Sequence, residues 1–357
     1  MKYPEIQYIE AVELLKKMIQ TPSFSKEENI TADIIQIFLE NKRIKTHRKQ
    51  NNVWAYNLFY DETLPTILLN SHHDTVKPNS TWTLDPFEAK VANDQLFGLG
   101  SNDAGASLVS LISTFCFFYE QKNLKYNILL VASAEEEISG KNGIDLLIQE
   151  KDLPAIDFAI VGEPTEMNLA IAEKGLMVLD CIARGKAGHA AREEGENAIT
   201  KAMKDIEWFN TFRFPRKSTT LGEMKMSVTL INAGKQHNVV PDTCVFTVDC
   251  RITEQYSLEE TLQIVRQHVS SEVQPRSMRL KSSSIDMSHP IVQAGMKLGK
   301  STYGSPTMSD QALLNCSSLK MGPGKSERSH TADEFILLSE IEQAIGQYIE
   351  MLMFVIY

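Results

Sequence analysis

The chain of 357 residues carries a formal net charge of -10. Nucleic acid and anionic membranes select for basic surfaces, so this acidic balance argues against both as partners. The length favours about two domains, and the hydrophobic fraction of 43% is ordinary for a globular protein with a large core. Small molecules are therefore the expected ligands.

The N-terminal segment and the cysteines bear on where the protein works. Residues 1–20 predict an amphipathic helix and show no signal peptide. The most apolar stretch, Ala106 to Tyr119, contains hydroxyl residues and is shorter than the roughly 20 residues that cross a bilayer, so it predicts a buried helix. Five cysteines without a CxxC pair argue against a disulfide framework and a thiolate zinc site. We expect a cytoplasmic protein with no membrane partner.

Helical and strand-like segments alternate along the first half of the chain. After the first helix, the pattern predicts these elements in order: a helix over 27–41, strands over 53–59 and 66–71, a helix from 104, and strands over 127–133 and 157–161. The runs VASA and AIVG suit strands that are buried on both faces. We therefore predict an α/β fold with a mostly parallel sheet and helices on both faces.

From about residue 174 the order changes to βαββα. Strand-like segments GLMVLDCIARG, EMKMSVTLI and TCVFTVDCRI alternate with helices over 197–212 and 258–268. This order predicts a small α+β sheet with its helices on one face. Long helical periodicity returns from about 287 and ends in a helix over 339–356. We predict that 1–173 and 287–357 form the catalytic domain, and that 174–286 are inserted in it.

His72, His73 and Asp74 follow directly after the strand predicted over 66–71. A strand sends alternate side chains to the same side, so His72 and Asp74 would share one side and His73 would point elsewhere. Asp74 could then hold the second nitrogen of a metal-bound His72, directly or nearby. The alternative is a surface loop rich in histidine.

Asp103 lies in GLGSNDAG, just ahead of the apolar helix. A carboxylate at a strand-to-helix turn can bridge two cations with its two oxygens. A helix cap is the alternative, since Asp caps helices often and well. A phosphate-binding loop is disfavoured, because the glycines here do not make GxGxxG and no GK[ST] follows.

Three further segments carry acidic residues or a histidine. SAEEEISG places Glu135, Glu136 and Glu137 after an apolar strand, and adjacent glutamates repel one another unless they are solvated or bound to cations. VGEPT places Glu163 at another strand end, and PGKSERSHTADE carries His330 in a polar loop. Each segment alone has an ordinary alternative: a solvated acidic turn, a loop carboxylate or a surface histidine.

Taken together, five such segments in this order predict a metal hydrolase. Each closes an apolar run or sits against glycine, as happens when strand ends deliver ligands to one cleft. Two histidines and three carboxylates supply only nitrogen and oxygen ligands, which suit borderline cations such as zinc.

The order, flanking residues and spacing of these segments resemble the M20 family of co-catalytic dizinc amidohydrolases. The resemblance covers nearly the whole chain and is closest to the acetylornithine deacetylase and succinyl-diaminopimelate desuccinylase branch. The family motif HxDxV is matched from His72 to Val76, and GxGxxDxxG from Gly98, except that Ala106 replaces the last glycine. The DEE run is matched by ASAEEEIS, with Glu135 in the Asp place.

The resemblance implies a role for each member of the predicted site. Two zinc ions, with Co²⁺ as an alternative metal, would be bound by five ligands: His72 and Glu163 on the first metal, Glu137 and His330 on the second, and Asp103 bridging both. Asp74 would support His72, and Glu136 would be the general base. A register shifted by one residue in the glutamate run would exchange base and ligand.

The inserted domain resembles the family's lid and dimerisation domain. The lid motif GxxGH ends at His189, which in relatives reaches the active site of the partner subunit, so the resemblance implies a homodimer through this domain. The substrate's own carboxylate would be recognised by Asn238, Arg251 and the backbone at Gly324. For Arg251 the alternative is an exposed strand residue, and other basic lid residues stay open as candidates.

The resemblance implies hydrolysis of an amide bond at a zinc-activated water, with Glu136 as the proton carrier. The leading hypothesis is an N-acyl amino acid deacylase of arginine or lysine biosynthesis. It would act on N-acetylornithine or on N-succinyl-ornithine or -citrulline, and the acyl group and the amino acid stay open. A metallo-exopeptidase of the same fold and a non-catalytic metal-binding protein are the two alternatives.

Overall fold

The computed structural model describes residues 5–357, and residues 1–4 of the predicted first helix and catalytic domain lie outside this part. The helices are α1 (Glu5–Ile19), α2 (Asn29–Asn41), α3 (Ala106–Phe118), α4 (Ile144–Gln149), α5 (Ala198–Thr211), α6 (Leu258–His268), α7 (Pro290–Lys297) and α8 (Leu338–Ile356).

The strands of the first half are β1 (Thr46–Lys49), β2 (Asn52–Tyr56), β3 (Thr66–His72), β4 (Lys90–Ala92), β5 (Gln95–Phe97), β6 (Asn127–Ser133), β7 (Phe158–Val161), β8 (Leu169–Glu173) and β9 (Gly175–Arg184). Those of the second half are β10 (Gly188–His189), β11 (Lys225–Ala233), β12 (Val239–Val240), β13 (Thr243–Ile252), β14 (Glu272–Pro275), β15 (Ser283–Ser284), β16 (Thr302–Ser305), β17 (Ser317–Lys320) and β18 (Phe335–Leu337).

The largest sheet of the described chain has nine strands, in the order β1-β2-β6-β3-β7-β17-β8-β15, with β16 paired to β8. Its centre is parallel: β3 pairs in parallel with both β6 and β7, and β7 pairs in parallel with β17. The flanking pairs β1/β2, β2/β6 and β17/β8 are antiparallel. This is the predicted mostly parallel α/β sheet.

The central strands are buried on both faces. All seven residues of β3 and all seven of β6 are buried. In β3, Ile67 and Leu69 enter one apolar cluster with residues of α1, α3 and α8, whereas Leu68 enters a second cluster with Ile144 and Leu147 of α4. Alternate side chains therefore reach helices on opposite faces, which explains why these runs are apolar throughout.

By its contacts the chain divides into two compact units. The larger holds the described residues up to Ala172 together with Ser284–Tyr303 and Ser309–Tyr357, and the smaller holds Glu173–Ser283 and Gly304–Met308. The assignment of catalytic and lid roles to 1–173 with 287–357 and to 174–286 stays a prediction. Among the described residues no helix is both long and apolar enough to cross a bilayer.

The smaller unit has an antiparallel four-stranded sheet in the order β11-β13-β9-β14. Helices α5 and α6 contribute Phe209 and Val265 to the core beneath it. The strand β14 extends the predicted βαββα order to the βαββαβ of ferredoxin-like folds. The sequence pattern does not predict β14, because its four residues, EVQP, bury only Val273 and show no run of apolar alternation.

Candidate metal centre

The carboxyl ends of neighbouring parallel strands carry most of the predicted ligands to one place. Strand β3 ends at His72, β6 is followed by Glu136 and Glu137, and β7 is followed by Glu163. Because β6, β3 and β7 are adjacent and parallel, these ends meet at the same edge of the sheet. Asp103 reaches this edge from the turn before α3.

The first cluster surrounds the imidazole of His72. Its Nε2 lies 3.4 Å from Oδ1 of Asp103, 3.8 Å from Oε2 of Glu136 and 3.8 Å from Oε1 of Glu163. His72 is buried, and this nitrogen has no hydrogen-bond partner among the described residues. A buried polar atom without a partner is costly, so its position among three carboxylates fits a metal ligand.

The second cluster surrounds the imidazole of His330. Its Nε2 lies 3.0 Å from Oε2 of Glu137 and 3.5 Å from Oδ2 of Asp103. Asp103 therefore turns one oxygen toward His72 and the other toward His330. This is the arrangement that a carboxylate bridging two cations requires.

Donor atoms around His72 are close enough to one another to bind metal ions. Two groups offer ligand atoms within 4.8 Å of one another: His72 with Asp103 and Glu137, and His72 with Glu136 and Glu163. The donors are imidazole nitrogens and carboxylate oxygens, which zinc accepts at about 2.0–2.2 Å after a small contraction of the cluster. The residues present therefore fit a dinuclear metal centre.

The electrostatics of the cluster also favour the binding of cations. Burial and the nearby charge of Asp103 raise the pKa of Glu163 to about 8. Burial, with Glu163 close by, raises the pKa of Glu136 well above its usual value. The contact with Glu137 raises the pKa of His330 to about 9. Raised values on acids and on a base alike mean excess negative charge, which bound divalent cations would offset.

The carboxylate of Asp74 has more partners than the predicted one, His72. The Nδ1 of His72 lies 2.9 Å from the main-chain carbonyl oxygen of Asp74 and 3.4 Å from its carboxylate. The carboxylate also accepts the backbone N–H groups of Glu136, at 3.0 Å, and Glu137, at 3.2 Å, and the hydroxyl of Ser25, at 2.7 Å. The main chain and the side chain of Asp74 thus both face the imidazole, and the side chain also holds the turn that carries both glutamates.

The three consecutive glutamates separate in the structure. Glu135 turns away from the cluster, and its carboxylate accepts from the side-chain amide of Asn142 at 2.8 Å. Gly140 packs against it so closely that a Cβ there would lie 2.0 Å from Oε2 of Glu135. Glu136 and Glu137 alone reach the histidines. This geometry favours the register with Glu135 in the Asp place, and the individual roles stay predictions.

Two alternatives from the sequence lose their basis. Helix α3 begins at Ala106 and shows no side-chain cap, so Asp103 does not cap it. His73 is buried away from the cluster, where its ring nitrogens meet the hydroxyl of Thr31 at 2.9 Å and the carbonyl of Asn51 at 2.8 Å. Burial lowers the pKa of His73 to about 4, so it is neutral at physiological pH.

Two buried carboxylates at the site were missed. Asp310 accepts from the hydroxyl of Ser133 at 2.5 Å, directly behind the end of β6, and burial raises its pKa to about 6. Glu334 accepts backbone N–H groups of the Asp103 turn. A polar residue opening a short apolar run, as in SDQALL, is the weak sequence signal for Asp310. Glu334 ends the HTADE segment, where only His330 received a role.

The four predicted substrate-binding residues are divided between the two units. His189, Asn238 and Arg251 belong to the smaller unit, and Gly324 belongs to the larger one. Arg251 already forms a bidentate ion pair with Asp249 on the same strand. Their roles in substrate binding stay predictions.

The backbone around these residues is also engaged. The Nδ1 of His189 accepts from the backbone of Ala191 at 3.1 Å, and the carbonyl of Asn238 accepts from Ala190 at 2.9 Å. The carbonyl of Gly324 accepts from the backbone of Glu166 at 2.8 Å. Because Nδ1 of His189 accepts, Nε2 is the ring nitrogen that carries the proton.

Comparison with known sequences finds a match to the model of peptidase family M20/M25/M40 over residues 68–353. Acetylornithine deacetylase of Proteus mirabilis is 26% identical over 382 residues, covering 95% of this chain and 96% of that protein. Succinyl-diaminopimelate desuccinylase of Blochmanniella pennsylvanica is 26% identical over 301 residues, covering 78% of this chain and 77% of that protein.

Solved structures show the same fold. The M20 family metallo-carboxypeptidase Sso-CP2 of Sulfolobus solfataricus superposes with a TM-score of 0.75 at 16% identity, covering 96% of this chain and 98% of that one. The YXEP protein of Bacillus subtilis, a dinuclear metal-binding peptidase of the M20 family, gives 0.73 at 18% identity, covering 98% of both chains.

Proposed function

Because the chain belongs to peptidase family M20/M25/M40, we propose that it is a zinc-dependent hydrolase that cleaves the amide bond of an N-acyl amino acid. The observation that carries the proposal is Asp103, whose two carboxylate oxygens face two separate histidine–carboxylate groups. A single metal would need only one such group. Hydrolysis at a paired metal centre is the chemistry that this arrangement serves.

The proposed metal ligands divide into two sets that share Asp103. His72 and Glu163 would hold one zinc, and Glu137 and His330 would hold the other. When bound, the zinc ions would polarise the substrate carbonyl and lower the pKa of an attacking water. The side chains of the protein would carry out the proton transfers and bind the substrate.

Glu136 is the proposed general base. It lies beside His72 and Glu163 yet is not needed to complete either set of ligands, and the backbone contact to Asp74 fixes its position. Its carboxylate would take the proton of the attacking water and return it to the departing amine. Burial and the neighbouring carboxylate raise the pKa of Glu136, which makes its carboxylate a stronger base for the proton of the water.

The proposed substrate is N-acetylornithine or an N-succinylated ornithine or citrulline, in arginine or lysine biosynthesis in the cytoplasm. The deacetylase and desuccinylase relatives, which match over most of the chain, support this class. His189, Asn238, Arg251 and the backbone of Gly324 are the proposed contacts to the substrate. Arg251 would have to exchange its ion pair with Asp249 for the substrate's carboxylate, or hold both.

Substitution of the three glutamates tests the proposal and the register together. We expect Glu136→Gln to keep two zinc ions per chain and to lose turnover by about 10³-fold or more, since the base is removed and the ligands remain. Glu137→Gln should instead lose the second zinc, and Glu135→Gln should keep both zinc and turnover. If Glu136→Gln retained full activity with metal bound, the mechanism would be wrong.

A substrate panel decides the substrate class. Zinc-loaded protein would be assayed against N-acetylornithine, N-succinylornithine, N-acetylcitrulline, N-succinylcitrulline and several dipeptides. We expect turnover of at least one N-acyl amino acid. Turnover of dipeptides alone would replace the deacylase by an exopeptidase, and turnover of nothing while zinc is bound would favour a binding protein.

We also propose a homodimer formed through the smaller unit. Strand β11 is an edge of its sheet, and its outer edge carries no strand among the described residues. Leu230 and Ile231 on β11 are 62% and 58% exposed, which is unusual for a free edge strand. A second copy pairing along β11 would cover both side chains.

Light scattering tests the dimer. The wild type should have about twice the 40.2 kDa mass of one chain, and Leu230→Lys should shift it toward the monomer. Ile37→Lys, at an equally exposed position of the larger unit, is the matched control and should leave the mass unchanged. A monomeric wild type would contradict both the dimer and any role of His189 across it.

A further inference from the structure

Two buried side chains, Asn102 and Glu334, connect the segments that carry Asp103 and His330. We name the first segment the Asp103 turn (residues 98–105) and the second the His330 loop (residues 324–334). We propose that Asn102 and Glu334 are positioning residues that form a latch between them. The latch sets the affinity of the second metal site, formed by Asp103, Glu137 and His330, and this inference rests on the proposed two-metal function.

The side chain of Asn102 forms hydrogen bonds only with residues of the His330 loop. Its Oδ1 accepts from the backbone N–H of Lys325 at 3.0 Å, and its Nδ2 donates to the carbonyl of Lys325 at 3.0 Å and to the hydroxyl of Ser329 at 3.2 Å. Asn102 is fully buried, and these partners lie more than 220 positions away in the chain. Ser329 directly precedes His330, so the anchor acts next to the ligand.

Glu334 makes the reciprocal contact from the loop to the turn. Its Oε1 accepts the backbone N–H groups of Asn102, at 2.8 Å, and Asp103, at 2.9 Å, and its Oε2 accepts from Gly100 at 3.2 Å. Burial and the charge of Asp103 raise the pKa of Glu334 to about 8. A carboxylate buried beside another is unfavourable by itself, and the three N–H donors offset that cost.

The approach between the two segments is closer than a side chain allows. Gly324 has a φ of +84°, and a Cβ at this position would lie 2.2 Å from Oδ1 of Asn102. The backbone of the loop is therefore pressed against Asn102. Beyond Glu334 the contact continues as regular pairing, because Phe335 of β18 pairs with Phe97 of β5.

His330 depends on this support more than the other ligands do. Its side chain is 54% exposed, and its contacts are those to Glu137 and Asp103. Other side-chain contacts of the loop are the bond from Asn79 to the carbonyl of His330 at 3.4 Å, the ion pairs of Lys325 with Glu166 and of Arg328 with Glu340, and the exposed bonds that Asp333 accepts from Thr83. None of these contacts lies between the loop and the Asp103 turn.

The first metal site does not share this dependence. His72 and Glu163 follow strands β3 and β7, which lie in the middle of the parallel sheet and are buried along their whole length. Their positions are set by the sheet. Loss of the Asn102 side-chain bonds alone should therefore weaken the second metal site and leave the first one intact.

Zinc titration of the purified apoprotein tests the latch. Asn102→Ala removes the side-chain bonds from the turn to Lys325 and Ser329 but leaves the backbone N–H groups of the turn bonded to Glu334. We identify the zinc of the second site as the one whose Kd rises in His330→Ala, and we expect Asn102→Ala to raise that Kd by at least about tenfold while the Kd of the other zinc stays within about threefold of wild type. Glu334→Gln loosens the shared ligand Asp103, so the Kd of both zinc ions should rise.

Asn127→Ala is the matched control. Asn127 is buried at the opposite end of β6, and its amide likewise clamps a loop, through the backbone of Asp61 and Leu64. We expect this variant to lose thermal stability much as Asn102→Ala does, yet to bind both zinc ions as the wild type does. Circular dichroism would show that every variant is folded before titration.

The outcomes separate the latch from the metal centre. The latch would be refuted, and the two-metal function would stand, in any of three cases. The zinc Kd values of Asn102→Ala could equal those of the wild type, both could rise by the same factor, or they could equal those of Asn127→Ala. If the wild type bound a single zinc, or if His330→Ala left the Kd of both zinc ions unchanged, the two-metal centre itself would be refuted and the latch with it.

Discussion

The carboxylate of Asp74 is the most informative single position at the metal centre. It accepts the backbone N–H groups of Glu136 and Glu137 and the hydroxyl of Ser25. In Asp74→Asn one of its two oxygens becomes an NH₂ group of the same shape. The hydroxyl of Ser25 can rotate to accept from that group, but the backbone N–H of Glu136 or of Glu137 then faces a donor.

The expected size of the effect follows from these bonds. A hydrogen bond to a charged group contributes about 1.5–3 kcal/mol, and a buried donor left without an acceptor costs about 1–3 kcal/mol. We expect Asp74→Asn to lower the free energy of unfolding by about 2–4 kcal/mol. Since a displacement of about 1 Å at a catalytic group can cost about 100-fold in rate, kcat should fall by about that factor with KM nearly unchanged.

Asp205→Asn is the matched control for this prediction. Asp205 is a buried carboxylate in the smaller unit that accepts two backbone N–H groups, from Ser270 and Ser271, and the hydroxyl of Ser271. It should lose similar stability in urea unfolding and keep the kcat of wild type. Should Asp74→Asn retain kcat within about threefold, or Asp205→Asn lose as much, the side chain of Asp74 would not be what positions Glu136.

Three further predictions concern metal, thiols and one glycine. Removing zinc with a chelator should lower the melting temperature, because metal at about 1,000 times its Kd adds about 4 kcal/mol to the free energy of unfolding. Identical melting curves with and without the chelator would contradict metal binding by the native protein. Burial raises the pKa of Cys116 to about 12 and of Cys316 to about 11. Both thiols should therefore react slowly with a thiol reagent at pH 8 in the native protein and rapidly in denaturant. Rapid labelling of the native protein would show that the two thiols are exposed to solvent. Gly324→Ala should lower the free energy of unfolding by more than Gly222→Ala, which by urea unfolding should cost about 1 kcal/mol. Both glycines have positive φ, but the space around Gly222 is empty, so equal losses would mean that Gly324 does not press on Asn102.

Local pattern was enough to locate the longest helices and strands and most candidate ligands, but not the short strands, such as β16, β17 and β18 in the region from 287 where helical periodicity was expected. Strand β6 and helix α6 have the predicted bounds, because a continuous apolar run and a 3.6-residue period are properties of the segment itself. The candidate ligands were visible for the same reason: a buried strand that stops at a histidine or a glutamate places that side chain at the sheet edge.

Contacts between distant segments could not be predicted in this way. The hydrogen bonds from Asp74 reach Glu136 across 62 positions, and those of Asn102 reach the His330 loop across 223. No period or motif in either segment encodes its partner. The short strand β14 was missed for a related reason, because it exists by pairing with β9 and not by its own composition.

The sequence by itself determined the α/β class, the family and the set of histidines and carboxylates that a metal centre would need. Only the tertiary structure decided which partner each of these residues contacts. It turned Glu135 away from the site, gave Asp103 two histidines to face, bonded the carboxylate of Asp74 to the glutamate turn as well, and joined Asn102 to the loop of His330. The reason is physical: residue type sets what a side chain can bind, and folding sets which partner lies within reach.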